Sequence, residues 1–132
     1  MTYISESAEQ TLKIAGEFSK TLKDGDIVLL KGEMGSGKTL FAKGIINSFF
    51  KDAAVTSPTF AYVNEYGNKI YHFDMYRVKS GEHAESLGLI EMLYSGKICI
   101  VEWPENIASH LLILYKTVKI EVVNESKRRI SI

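Results

Sequence analysis

The chain has 132 residues, 45% hydrophobic and 24% charged, the balance of a soluble domain with one core. Its 16 Lys and Arg match its 16 Asp and Glu, and the zero net charge excludes a binder held to nucleic acid mainly by phosphate neutralisation. A lone cysteine, Cys99, excludes an intrachain disulfide, and no apolar stretch approaches the roughly 18 residues of a membrane span.

Met1–Glu6 has neither the basic start nor the apolar centre of a signal peptide, so a cytoplasmic protein is expected. Ser7 with Gln10 fits a capping box, and Leu12, Ala15, Phe18 and Leu22 recur at helical spacing. That predicts a first helix ending before Asp24-Gly25-Asp26. Asp26–Leu30 then reads as a buried strand and Leu40–Ile46 as a helix. Ala61–Glu65 and Ile70–Asp74, separated by Tyr66-Gly67-Asn68-Lys69, predict an antiparallel hairpin. Ser80 caps a short helix through Leu87, stopped by Gly88, and Ile90–Tyr94 is a further short helix or turn. Ile98–Val101 is apolar throughout, as in a strand buried on both faces; Cys99 within it reads as an inert buried thiol. Thr117–Val123 alternates and turns through Asn124-Glu125-Ser126 into Arg128–Ile132, a closing hairpin at the sheet edge. There is no repeat or linker. The expected fold is one α/β domain over residues 1–132, a mixed sheet with antiparallel hairpins and helices on both faces, and the loop after its first buried strand, Gly32–Thr39 with its Gly-Lys-Thr end, makes it P-loop NTPase-like.

Between the first predicted strand and the second helix stands Gly32-Glu33-Met34-Gly35-Ser36-Gly37-Lys38-Thr39, a full match to G-x-x-x-x-G-K-[ST]. Composition alone produces such an octet in on the order of one chain in a few hundred. Its setting of strand, loop and helix is the one the motif requires. Glycines let the backbone curl so that Met34 to Thr39 present N–H groups to an anion, and the helix adds the positive end of its dipole. Lys38 is placed to reach β- and γ-phosphates, and the Thr39 hydroxyl to ligate Mg²⁺.

Such a site needs a second acidic group. Glu102 ends the Ile98–Val101 run and Asp74 ends Ile70–Phe73. Glu102, on the more buried type of strand, is the better metal ligand, directly or through water, and Asp74 the better group to orient an attacking water. Thr56-Ser57-Pro58-Thr59-Phe60 is a candidate switch segment or an ordinary loop. Trp103, the only tryptophan, is either a stacking or a packing residue, and Arg77 either faces phosphoryl charge or pairs with Asp74.

Val55–Phe60, Val63–Tyr66, His72-Phe73-Asp74-Met75-Tyr76-Arg77, Leu87-Gly88-Leu89 and Val101-Glu102-Trp103-Pro104-Glu105 follow the P-loop in an order and spacing that resemble the TsaE family of bacterial tRNA threonylcarbamoyladenosine biosynthesis proteins. The resemblance runs from about Ser7 to the C-terminus. It implies a small cytoplasmic ATPase, using ATP and Mg²⁺, that assists this tRNA modification without transferring the group. The implied partner is the complex of TsaB and TsaD subunits, reset between rounds by ATP turnover, with tRNA met indirectly or weakly and no membrane involved. By position it assigns phosphate binding to Met34, Gly35, Ser36, Gly37, Lys38 and Thr39, metal binding to Thr39 and Glu102, support of hydrolysis to Asp74, the switch to Ser57–Phe60, and the neighbourhood of adenine to Ser5-Glu6-Ser7. Ser126-Lys127-Arg128-Arg129 departs from the family's frequent Gly-Arg pair, which affects only the expected turn. A small-molecule kinase on the same loop is the alternative, but three arginines and no Arg-rich lid segment speak against it. A GTPase would want an N-K-x-D-like segment, and Asn68-Lys69-Ile70-Tyr71 lacks the acidic residue.

Overall fold

A computed structural model describes residues 1–132. Four parallel strands form its centre: β2 (Ile27–Lys31), β4 (Ile70–Asp74), β5 (Ile98–Glu102) and β6 (Lys116–Val122). Antiparallel strands flank them: β1 (Thr2–Ser5) and β7 (Arg128–Ser131) on one side, β3 (Val63–Tyr66) on the other. The order across the sheet is β1-β7-β6-β2-β5-β4-β3.

Helices α1 (Ala8–Ser19) and α2 (Lys38–Phe49) cover one face; α3 (Gly81–Ser86), α4 (Leu89–Leu93) and two 3₁₀ turns, Pro104–Asn106 and Ala108–His110, lie over the other. This double cover explains the continuous apolar runs. Val28, Leu30, Ile98 and Ile100 pack towards α1 and α2, while Ile27, Leu29, Cys99 and Val101 pack towards α4 and the 3₁₀ turns. The two helices on the first face approach closely because Gly44 has no side chain: a Cβ there would stand 2.5 Å from that of Ala15.

Local signals act largely as the sequence predicts. Ser7 caps α1 by accepting from the Gln10 amide at 3.1 Å, while the Gln10 side chain reaches back one residue further, to the Glu6 N–H. Gly67 and Asn68, both with positive φ, turn the β3–β4 hairpin, closed by the Lys69 amide on the Tyr66 carbonyl. Ser80 caps α3 and Gly88, at φ 78°, ends it.

Two expectations are corrected. The β6–β7 hairpin is not the sheet edge, because β1 pairs with β7 and takes that position. Nothing in Thr2–Ser5 alternates; the free edge of β7 supplies the backbone partners that make it a strand. The first helix stops at Ser19 rather than running to Leu22, since the Ser19 and Thr21 hydroxyls bond to the Gly16 and Phe18 carbonyls and the chain closes with tighter turns.

Candidate nucleotide and metal site

The loop joining β2 to α2 carries the octet. Gly35 at φ 80° and Gly37 at φ 110° adopt a conformation that other residues rarely hold, and this curls the backbone about its centre. At Gly32 the constraint is space: a Cβ would lie 2.6 Å from the Ile120 carbonyl oxygen. The α2 dipole points its positive end into the loop, and no acidic residue sits in its first turn to neutralise it.

Lys38 starts α2 and is only 5% exposed. Its ammonium donates to the Gly32 and Glu33 carbonyls and lies 3.5 Å from the centre of the Trp103 ring. Burial holds its pKa below the ordinary 10.5, against the opposing pull of Glu102, Glu105 and Asp74. Trp103 reaches this position with φ 55°, a left-handed conformation unusual for an aromatic residue, and the Tyr76 ring tilts against it at 5.0 Å between ring centres.

Adjacent strand ends supply the acids. Glu102 pairs in register with Leu30 on β2 and Asp74 on β4, so Glu102 is one strand from the P-loop strand and Asp74 two. The Thr39 hydroxyl donates to both Glu102 oxygens at 3.0 Å. Asp74 turns one oxygen to the Ser57 and Thr59 hydroxyls, both at 3.2 Å, and the other to the Tyr76 amide at 2.9 Å. Both carboxylates are buried. All these groups border one open cleft of about 410 Å³, lined also by Glu33, Met34, Gly35, Gly37 and Leu40. A hydroxyl and a carboxylate side by side are hard oxygen donors of the number that a protein commonly gives Mg²⁺, which takes its other ligands from phosphate and water, so the pair fits that ion.

The family model described as threonylcarbamoyl adenosine biosynthesis protein TsaE matches residues 5–130. The chain belongs to the TsaE family. The tRNA threonylcarbamoyladenosine biosynthesis protein TsaE of Rickettsia felis is 40% identical over 98% of this chain and 77% of its own length. That of Treponema pallidum is 32% identical over 100% of this chain and 99% of its own. The crystal structure of Bacillus subtilis YdiB superposes with a TM-score of 0.81 at 28% identity, covering 98% of this chain and 82% of that one. The mixed α/β fold is therefore shared with a solved protein as well as expected from pattern.

Of the residues singled out in this TsaE-family sequence, Met34, Gly35, Gly37, Lys38, Thr39, Asp74 and Glu102 meet in the cleft. Ser36 and Ser7 do not. They line a neighbouring cavity of about 210 Å³ that shares Gly37 and Leu40 with the cleft, beside the turn between β6 and β7. Arg77 has no ion pair with Asp74 and does not line the cleft; its guanidinium stands over the Phe60 ring, 5.1 Å from its centre. Ser57 and Thr59 point at Asp74, whereas Thr56 contacts Asn64. No helix is long and apolar enough to cross a membrane.

Sequence reasoning passed over Arg128 and His72. Arg128 donates from Nε to the Ser36 carbonyl at 2.9 Å and from its terminal nitrogens to the Gly35 and Asn124 carbonyls, tying the P-loop to the closing hairpin. Its partners on the P-loop are 92 and 93 residues away, so no local pattern announces them. His72 is fully buried, with Nε2 2.6 Å from Glu102 Oε2. The available signal was a histidine between Ile70 and Asp74 on the strand row that faces α2.

Proposed function

We propose that this TsaE-family chain is a Mg²⁺-dependent ATP hydrolase that assists formation of threonylcarbamoyladenosine in tRNA, binding a complex of TsaB and TsaD subunits and resetting it between rounds. The observation that carries the hydrolase reading is the convergence of Lys38, Thr39, Asp74 and Glu102 on one cleft at the mouth of the P-loop. The tRNA pathway and the partner rest on family membership. Location in the cytoplasm goes with that role.

In this reading the backbone N–H groups of Met34 to Thr39 and the Lys38 ammonium hold the phosphates. Thr39 and Glu102 would hold Mg²⁺, which neutralises charge on the β- and γ-phosphoryl oxygens when bound. Asp74, steadied through Tyr76, orients the attacking water, and the Ser57 and Thr59 hydroxyls on its other oxygen carry that state to the Thr56–Phe60 loop. Ser7 and its cavity receive the nucleoside end of ATP or ADP. Few cations surround the cleft, since Arg128 is spent on the loop backbone and Arg77 stands over Phe60. Hydrolysis by the isolated chain is therefore slow, and no cationic lid of the kind a small-molecule kinase closes over its phosphate is in place.

The test is reconstitution of threonylcarbamoyladenosine on tRNA under multiple turnover, with and without this chain and with ATP-dependent binding to TsaB–TsaD measured in parallel. A higher yield with the chain is expected. Equal yields together with no ATP-dependent binding reject the assignment, even for a chain that hydrolyses ATP.

A further inference from the structure

The geometry points to His72 as the positioning residue that fixes the Glu102 carboxylate for the metal. This rests on the Mg²⁺ reading of Thr39 and Glu102. His72 has no exposed surface, and its Nε2 lies 2.6 Å from Glu102 Oε2. A carboxylate accepts, so the proton of this bond sits on Nε2. The other ring nitrogen, Nδ1, is buried without any partner. Glu102 is thus the one hydrogen-bond partner of the ring.

What that bond does follows from the second donor. Thr39 Oγ1 sits 3.0 Å from each Glu102 oxygen and so does not choose between them. His72 contacts Oε2 alone and sets the rotation of the carboxylate plane. A metal would take a lone pair of the Thr39 hydroxyl and leave its one proton, which favours neither Glu102 oxygen. His72 is the side chain that tells the two oxygens apart. The histidine stands on β4 next to β5, two residues before Asp74, in a row whose neighbours Ile70, Ile98 and Ile100 are isoleucines. An apolar residue would fill that place without leaving a nitrogen unpartnered, so packing alone does not account for it. Carboxylates that bind metals are commonly oriented by such a partner, and losing it typically weakens metal affinity 10–100-fold.

The variants are His72→Gln, whose amide nitrogen falls where Nε2 does, His72→Asn, which is polar but too short, and His72→Leu. ADP affinity is measured by calorimetry with Mg²⁺ and with EDTA, and the ratio of the two is the readout. His72→Gln should keep the wild-type ratio. His72→Asn and His72→Leu should lose about 10–100-fold of it while affinity in EDTA is unchanged. A ring-¹⁵N spectrum of the wild-type chain should show a protonated Nε2. Should His72→Leu fail to fold, the Gln and Asn pair decides. Equal ratios in wild type, Gln and Asn overturn the positioning role and leave the metal site standing. A wild-type chain with no Mg²⁺ effect on ADP affinity overturns the metal reading and this proposal with it. A bare Nε2 overturns the donation to Glu102.

Discussion

Lys38→Met separates phosphate binding from folding. Lys38 is 5% exposed, and its charge is disfavoured by burial, which lowers its pKa from 10.5. Between the lowered value and 10.5 the unfolded chain holds more protons than the folded one, so stability rises with pH across that window. Below the window, at pH 7, the charged lysine weighs against the fold by a constant amount. Methionine removes that burden together with the ammonium's bonds to the Gly32 and Glu33 carbonyls, two opposed effects, so the variant should melt within a few degrees of wild type at pH 7. Wild type should gain on it as the pH approaches 10.5. Binding moves the other way. One or two charge-assisted hydrogen bonds to phosphate, each about 1.5–3 kcal/mol, give a loss of roughly 1.5–6 kcal/mol, or about 10- to 20,000-fold in affinity. The assay is calorimetric titration of Mg²⁺–ADP alongside thermal melts at pH 7 and above. Wild-type affinity in a folded Lys38→Met chain would refute the phosphate role, and a melting point several degrees lower at pH 7 would refute the burial argument.

Glu102→Ala should abolish the Mg²⁺ dependence of turnover while sparing nucleotide binding in EDTA, and Asp74→Ala should slow hydrolysis with Mg²⁺ affinity retained; the reverse pattern exchanges the two roles. Arg128→Gln should weaken ADP binding about tenfold with and without Mg²⁺, and Arg128→Lys should restore little of it, because a single ammonium cannot span the Ser36 and Asn124 carbonyls; an unchanged affinity refutes the tie. Gly16→Ala has open space around it and should raise stability by about 0.5–1 kcal/mol, whereas Gly44→Ala should lower it by about 1–3 kcal/mol because its methyl meets Ala15 and the Leu12 backbone; melts that rank the pair the other way refute the helix contact.

The P-loop was legible because its chemistry is local: eight contiguous residues carry both the turn geometry and the functional groups. β2 and β5 were legible because burial on both faces leaves an apolar run, and the second run also marked Cys99, whose thiol burial pushes up to about 12. Strand order was the missing information. Glu102 and Asp74 end similar strands, and only the sequence β2-β5-β4 across the sheet puts Glu102 beside Thr39. β1 escaped notice because its pairing comes from the β7 edge, and Arg128 because it acts on a loop more than ninety residues away. The position of Arg77 follows from the Tyr76–Trp103 packing and the Phe60 ring, neither of which spacing encodes.

The cleft has one further property that bears on a switch. Lys38, Thr39 and Asp74 each already have a side-chain or carbonyl partner within the chain: Thr39 has Glu102, Lys38 has two carbonyls and the Trp103 face, and Asp74 has Ser57 and Thr59. For these side chains ligand binding would exchange bonds rather than add them, and the net gain would be the difference between two similar sets. The partners released are not scattered. Ser57 and Thr59 sit on the loop between α2 and β3, and Trp103 begins the 3₁₀ turn that follows β5. Under the proposed function, drawing Lys38 towards phosphate would free the Trp103 ring, and with it Tyr76, while a water on Asp74 would compete with the two hydroxyls. Loops on either side of the cleft would then respond to the same event, and a partner that contacts either one would sense the nucleotide state without touching the nucleotide.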